Sequence, residues 1–444
     1  MSGKKERFGS RTAVIMAMAG SAIGLGNIWR FPYMVGEHGG AAFIVMYLLA
    51  TLLLSLPVFI TEVTIGRRSR KGAFSAMSEL HPGHRIWEFV GLLAVIVPLL
   101  INSYYCVIGG WSLDFLLRSC AASFVRMSPS EVTSVFSQMI SSRWEPVVMH
   151  LSFMGISTFI VAHGVKAGIE KFSKISIPAL FFLIIVMIFY SVTLPGASEG
   201  LKYLVKPDFS QVNGETMAYA LGQSFYSLSL GMGAIITYGS YVHKEEDIVV
   251  SGAGTAVFDL TFAILAGFAI MPAVFAAGIE PGAGPGLIFQ SVPYIFSSMG
   301  EEVPVISAAV SFIFFLAIVV AAMTSCISLI EVGVTFLGEK FNLSRKKSCC
   351  LLFVLCGGLG IVCSLQPSVF DSLDWFCSNV MLLVLAFCFV VFAGFVMKKE
   401  DVREEITNAG AKPLNVRFFN VIYFQIKWIA PIAIAVILVT NFIL

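Results

Sequence analysis

Eleven long apolar runs separated by short polar stretches occupy most of this chain, at roughly 12–35, 41–66, 87–117, 147–163, 172–194, 215–241, 247–278, 303–337, 348–365, 371–397 and 418–442. An α-helix needs about 20 apolar residues to cross the hydrocarbon core of a bilayer. Hydrocarbon offers backbone N–H and C=O groups no partner but one another, so such runs read as transmembrane helices. The pattern predicts an all-α polytopic membrane protein. Two runs break it. In the first, AMAGSAIGLGNIWRFP (17–32), Gly20, Gly24 and Gly26 weaken the centre, Asn27 places an amide there and Arg30 a charge close behind. In the sixth, GQSFYSLSLGMG (222–233), glycines and hydroxyls fill the middle. Glycine permits a helix break and bare approach to the backbone. Within a membrane a break persists only where its freed polar groups meet protein, water or a ligand.

The two interrupted runs hold corresponding places in two halves of five spans, about 12–194 and 215–397. An odd number of spans per half starts the second half from the opposite side of the membrane, so the repeats are inverted. Paired broken helices in inverted repeats point to a transport site near the midplane. A single G-x-G fits ordinary close packing of helices equally well; two polar clusters in register do not. The whole chain, 1–444, reads as one transporter domain, with the eleventh helix (about 418–442) an accessory outside the repeat.

Composition narrows the class further. Only 13% of the 444 residues are charged and 57% are hydrophobic, whereas a soluble domain carries about twice that charge; no soluble domain fits in the loops. With the N-terminus cytoplasmic, 22 of the 29 Lys and Arg residues lie inside and five outside (Arg118, Arg126, Arg143, Lys202, Lys206), which sets the orientation by the positive-inside rule. The expected location is a prokaryotic cell membrane, N-terminus in and C-terminus out. The N-terminus runs straight into a long first span without the short apolar stretch and cleavage site of a signal peptide. A net charge of +2 suggests no nucleic-acid partner. The nine cysteines form no C-x-x-C and lie mostly within spans, as small buried hydrophobes. The six histidines are scattered, with no H-x-x-x-H, and neither a nucleophile elbow nor an assembled triad is present, so an enzyme is not expected.

Six motifs in order, AMAGSAIGLGNIWRFP, GGAAFIVMYLL, SYYCVIGGW, GQSFYSLSLGMGAIITYGSY, AAMTSC and FDSLDW, resemble the neurotransmitter:sodium symporter family, in particular its bacterial leucine and hydrophobic amino-acid transporters. Bacterial members of that group exemplify transport sites built at paired broken helices. The match runs across spans 1–10, and eleven spans in place of twelve resemble the shorter prokaryotic branch. The resemblance implies a 5+5 inverted-repeat fold and symport of an amino acid with sodium, with the lipid bilayer as surroundings and no obligate protein partner.

It also implies a site. A substrate carboxylate would meet the unwound backbone at Ala22, Gly24, Leu25 and Gly26 and the Tyr105 hydroxyl, while its amine would meet oxygens near Ala22, Tyr226, Ser227 and Ser229. The side-chain pocket would be lined by Leu25, Ile101, Tyr105, Tyr226, Met232, Ser325 and Leu329. No acid or base faces that side chain, which favours bulky neutral substrates such as Leu, Met, Phe, Tyr or Trp. One sodium would sit among Ala22, Asn27, Ser227 and a seventh-span group, Asp259; a second among Gly20, Ile23, Ala321, Thr324 and Ser325. Oxygen ligands suit a hard cation. On residues alone, Thr324 and Ser325 fit back-bonding to the preceding turn as well.

Asp259 departs from the family's Asn or Ser where many relatives hold chloride. With Tyr47, Gln223 and Ser227 around it, the carboxylate would supply the negative charge itself, which predicts chloride independence and offers a proton-release route on the empty return step. Arg30 and Asp374 match the outer gate. At the inner gate Lys5 and Phe8 replace the family's Arg and Trp, with Glu339 as acidic partner, Arg7 as an alternative to Lys5, and Tyr241 capping the closure. Glu62 would cap unwound N–H groups of the sixth span, and Gly282–Gly286 would form a hairpin over the outer vestibule. Two sodium ions crossing 100 mV down tenfold gradients supply roughly 7.4 kcal/mol, enough for about 10⁵-fold accumulation of a neutral amino acid. A channel would need a continuous polar path. A proton-coupled amino-acid transporter of the same architecture is the closest alternative; it would rely on a lysine near Thr324 and Ser325 that this chain lacks.

Overall fold

The computed structural model describes residues 7–278, 289, 292, 293 and 304–443, and every regular element among them is helical. Within these residues nine helices are long and apolar enough to cross a membrane: Ala41–Ser69, Arg85–Cys120, Glu145–Ala162, Val165–Ser191, Ile248–Ala276, Pro304–Phe341, Arg345–Leu365, Pro367–Val396 and Pro413–Asn441. A tenth crossing is the pair Arg11–Ala22 and Gly26–Glu37, bent by 54°. They follow the order of the expected spans, whose ordinal names are kept below. The sixth run does not pass as a span. It is helical over Gly214–Ser227 and again over Ala234–Gly239, and neither piece alone reaches across a bilayer. Between them Ser229, Gly231 and Gly233 adopt left-handed backbone (φ 54°, 75° and 66°), which an α-helix cannot accommodate.

Other boundaries shift for electrostatic reasons. The fourth and fifth spans are separated by residues 163–164 alone, although the apolar pattern ends the fourth at 163 and starts the fifth at 172. The charges at Lys166, Glu170, Lys171 and Lys174 interrupt the hydropathy but not the helix. Lys174 Nζ pairs with Glu170 Oε1 one turn earlier, at 2.7 Å, the spacing at which opposite charges support a helix. The eighth span continues to Phe341, which carries Glu339 beyond the apolar run.

The eighth span packs most extensively on the third, and the fourth and ninth flank that pair. The first span lies against the fifth, seventh and eighth, and the second piece of the sixth lies on the second span. That last contact is backbone to backbone: a Cβ on Gly66 would sit 1.9 Å from the Ile236 carbonyl oxygen. Phe159, Phe182 and Phe189 stay largely exposed on the fourth and fifth spans, a surface suited to lipid.

At the end of the molecule where the first span begins, buried Arg67 joins three segments. Its Nε lies 2.5 Å from Glu405 Oε2 on the short helix Lys399–Thr407, its Nη1 donates to the Glu246 carbonyl at 2.5 Å, and its Nη2 donates to the Glu405 carbonyl. One guanidinium thereby ties the second span to the loop between the sixth and seventh and to the loop between the tenth and eleventh.

Candidate functional site

The first break sits where Ile23 leaves helical geometry (ψ 102°), and the chain resumes in a wide turn over Gly26–Arg30. Side chains satisfy the freed N–H groups. Gly24 donates to Asn27 Oδ1 and Leu25 to the Tyr105 hydroxyl oxygen, both at 3.1 Å. A Cβ on Gly24 would stand 2.4 Å from Ser325 Oγ, so the bare backbone meets the third and eighth spans directly. In the sixth run the Gly231 N–H donates to Glu62 Oε1 at 2.7 Å, and a Cβ there would stand 2.1 Å from the Leu382 carbonyl oxygen.

Between the two breaks lies a cavity lined by Ser21, Ala22, Gly24, Gly26, Ile101, Tyr105, Tyr226, Ser229, Met232, Ser325, Ser328 and Leu329. Ten of the twelve residues expected around a substrate are among them. Leu25 and Ser227 are not. Leu25 buries its side chain in the core and reaches Tyr105 only through its N–H. Ser227 turns its hydroxyl away from the cavity, toward Asp259. Ser21 and Ser328 line the cavity although the motifs do not single them out. Both were legible: Ser21 stands within the first motif, and Ser328 lies one turn beyond Ser325 on the same helical face.

Asp259, fully buried on the seventh span, gathers three donors. Asn27 Nδ2 approaches Oδ1 at 2.7 Å, the Ser227 hydroxyl lies 2.9 and 2.8 Å from the two oxygens, and the Tyr47 hydroxyl is 3.3 Å from Oδ2. Tyr47 also reaches Ser227 Oγ at 3.0 Å. Gln223, expected beside Asp259, instead donates from Nε2 to the Gly26 carbonyl at 3.1 Å and clasps the other end of the broken turn. A carboxylate so placed is a hydrogen-bonding hub for the first, second, sixth and seventh spans.

The junction of the first and eighth spans is also rich in oxygen. Thr324 Oγ1 lies 3.1 Å from the Ile23 carbonyl and 2.8 Å from the Ala321 carbonyl, and Ser325 Oγ donates to the Ser21 carbonyl at 3.2 Å. Back-bonding within the eighth span and a cross-helix contact therefore coexist at Thr324. Gly20 packs beside it, with Thr324 Cβ 3.5 Å from where a Gly20 Cβ would be.

The expected gates differ in detail. Arg30 and Asp374 form no ion pair with each other. The Arg30 guanidinium lies over the Tyr226 ring, 4.8 Å from its centroid, a cation–π arrangement. Asp374 Oδ1 accepts from the Ser378 hydroxyl at 3.1 Å. Lys5, expected at the inner gate, and Gly282–Gly286, expected over the outer vestibule, lie outside the described residues. Phe8 is fully buried, edge-on to Tyr238 and Tyr241. Glu339 accepts the Gly72 N–H at 3.1 Å, which ties the loop after the second span to the last turn of the eighth. Tyr241 reaches Glu331 Oε1 and Thr335 Oγ1, each at 2.7 Å. Glu331 in turn pairs with Arg345, whose Nε donates to the Val161 carbonyl at 2.6 Å. The motifs miss Glu331 and Arg345, although a carboxylate inside the eighth apolar run is itself a signal.

Comparison with known proteins shows the family and the fold. A family model described as the sodium:neurotransmitter symporter family matches residues 5–128 and 121–444. The chain is 34% identical over 446 residues to a sodium-dependent transporter, YhdH, of Bacillus subtilis, covering 98% of this chain and 97% of the relative. It is 27% identical over 460 residues to a sodium- and chloride-dependent taurine transporter of Bos taurus, covering 87% and 71%. The crystal structure of MhsT in complex with L-phenylalanine matches with a TM-score of 0.88 at 38% identity, covering 99% of this chain and all of that one.

Proposed function

Since this chain belongs to the sodium:neurotransmitter symporter family, we propose that it carries neutral, bulky hydrophobic L-amino acids into the cell with sodium, by alternating access and without chloride. The observation that carries the reading is the cavity between the two breaks. Its walls are Ile101, Met232, Leu329 and the Tyr226 ring, interleaved with hydroxyls and bare backbone. An aliphatic or aromatic side chain fits such walls, and no acid or base among the lining residues would pair a charged one. L-Phenylalanine in MhsT points the same way.

The amino and carboxyl ends have separate partners. The Tyr105 hydroxyl, which accepts from Leu25 at 3.1 Å, lines the cavity and would donate its proton to a substrate carboxylate. Ser229 and the carbonyls beside Ala22 suit an ammonium. A neighbouring sodium would hold the carboxylate from its other side, drawing on Ala22, Asn27, Ser227 and Asp259; burying either charge alone costs several kcal/mol. A second sodium, among Gly20, Ile23, Ala321, Thr324 and Ser325, would touch no substrate. It would clamp the first span to the eighth and so couple ion binding to conformation.

The Asp259 carboxylate stands among Tyr47, Ser227 and Asn27 as a fixed negative charge, which supports chloride independence. Twenty-two basic residues on one side support a cytoplasmic N-terminus in a prokaryotic cell membrane. The relatives cited above are named for sodium, and nothing in the site favours proton drive over it.

The test is equilibrium binding of a panel of L-amino acids to purified protein in sodium or potassium, with chloride or gluconate. Sodium-dependent, chloride-insensitive binding of bulky apolar amino acids is expected. Binding indifferent to sodium would overturn the ion sites, and preference for glycine or charged amino acids would overturn the substrate class.

A further inference from the structure

One wall of the cavity has a hydrogen-bonding polarity that hydropathy does not reveal. Four serines line it, and each hydroxyl proton is already donated to protein. Ser21 Oγ donates to Ser328 Oγ at 2.8 Å, and Ser328 Oγ donates to the Ser325 carbonyl at 2.7 Å. Ser325 Oγ and Ser229 Oγ both donate to the Ser21 carbonyl, at 3.2 and 2.8 Å. Ser21 and Ser328 are each 1% exposed, so water does not compete for what remains. A hydroxyl has one proton and two acceptor lone pairs. With the protons committed, this wall offers a ligand acceptors only. Turning Ser328 round to donate would leave a buried carbonyl with one partner fewer.

Resting on the amino-acid transport reading above, we propose that Ser21 and Ser328 form an acceptor that selects substrates whose ring carries an N–H or O–H donor, indole and phenol ahead of phenyl. An indole fits this polarity best because its nitrogen donates and never accepts. The rest of the pocket suits an aromatic ring: Ile101 and Leu329 bring flat apolar contact, and Met232 brings a polarisable thioether. A side chain that can only accept, such as a methyl ether, gains nothing from this wall.

The test compares L-tryptophan with 3-benzothienyl-L-alanine, in which sulfur replaces the indole N–H at nearly constant shape. Both compete for sodium-dependent binding to the full-length purified protein and to the variants Ser21→Ala and Ser328→Ala. A net buried hydrogen bond corresponds to between about twofold and tenfold in affinity. Wild type is expected to prefer tryptophan by that factor, and the ratio is expected to fall toward one in either variant, whatever happens to each affinity separately. A ratio of one in wild type, or a ratio unmoved by both substitutions, overturns the proposal; the wild-type ratio decides even if a variant does not fold. Sodium-dependent binding of both ligands at equal affinity defeats the acceptor wall and leaves the transport reading standing. If neither ligand binds in sodium, both readings fail.

Discussion

Asn27 Nδ2 stands 2.7 Å from Asp259 Oδ1, which joins the break of the first span to a buried carboxylate on the seventh. The same carboxylate holds Ser227 and Tyr47, so one acidic side chain joins four spans. If that charge takes the place of a chloride ion, Asp259→Ser should make sodium-dependent substrate binding require chloride, while wild type binds equally in chloride and gluconate. Scintillation-proximity binding in the two salts reads the outcome; a variant indifferent to chloride would refute the role given to Asp259.

Thr324 Oγ1 faces the Ile23 carbonyl at 3.1 Å across the junction of the first and eighth spans. Thr324→Val keeps the shape and removes the oxygen. Sodium titration of substrate binding should shift to about tenfold higher sodium, the equivalent of about 1.4 kcal/mol, and lose steepness, the Hill coefficient dropping toward one. An unchanged titration would remove the second ion from this junction.

Gly231 should tolerate no side chain. Its φ of 75° costs a non-glycine residue on the order of 1–2 kcal/mol, and its Cβ would meet the Leu382 carbonyl at 2.1 Å. Overpacking adds roughly 1–3 kcal/mol. Gly231→Ala should lower the thermal midpoint in detergent and abolish binding. Gly222→Ala is the control: it lies in the helix Gly214–Ser227 with nothing within 4 Å of its Cβ. Alanine there should hold or slightly raise the midpoint, since alanine outranks glycine in helices by about 1 kcal/mol.

Two adjacent arginines should differ sharply. Arg67 and Glu405 have side chains only 1% and 9% exposed, and without the Arg67 guanidinium the buried Glu405 carboxylate keeps only the longer contact to Arg68, at 3.6 Å. Arg67→Ala should therefore destabilise by about 3–5 kcal/mol. Arg68 meets Glu404 and Asp401 at the surface and Glu405 only at 3.6 Å, and exposed pairs contribute about 0–1 kcal/mol. Thermal unfolding of Arg67→Ala and Arg68→Ala compares them directly, and equal losses would contradict the assignment of Arg67 as the buried joint.

Several features of this protein are properties of local sequence and were legible there. Apolar length places a helix in hydrocarbon whatever surrounds it, so the nine long apolar helices among the described residues follow from composition alone. Glycine density marks the neighbourhood of the breaks, at 20–26 and 231–233, although Ile23 and Ser229 themselves carry the first departures from helix, and a carboxylate inside an apolar run, Asp259, announces itself by its cost. What the tertiary structure decided is orientation across helices remote in sequence. Helical periodicity does not say that Ser227 turns to Asp259 while Ser229 turns to the cavity, because the left-handed turn beginning at Ser229 rotates the chain between them. Nor does it pair Ser21 with Ser328, 307 residues away, seat Arg30 on Tyr226 in place of Asp374, or bring Glu405 under Arg67. Each of these depends on how whole helices pack and rotate against one another. That packing is set by close backbone approaches such as Gly66 on Ile236, which are relations between segments and belong to neither segment alone.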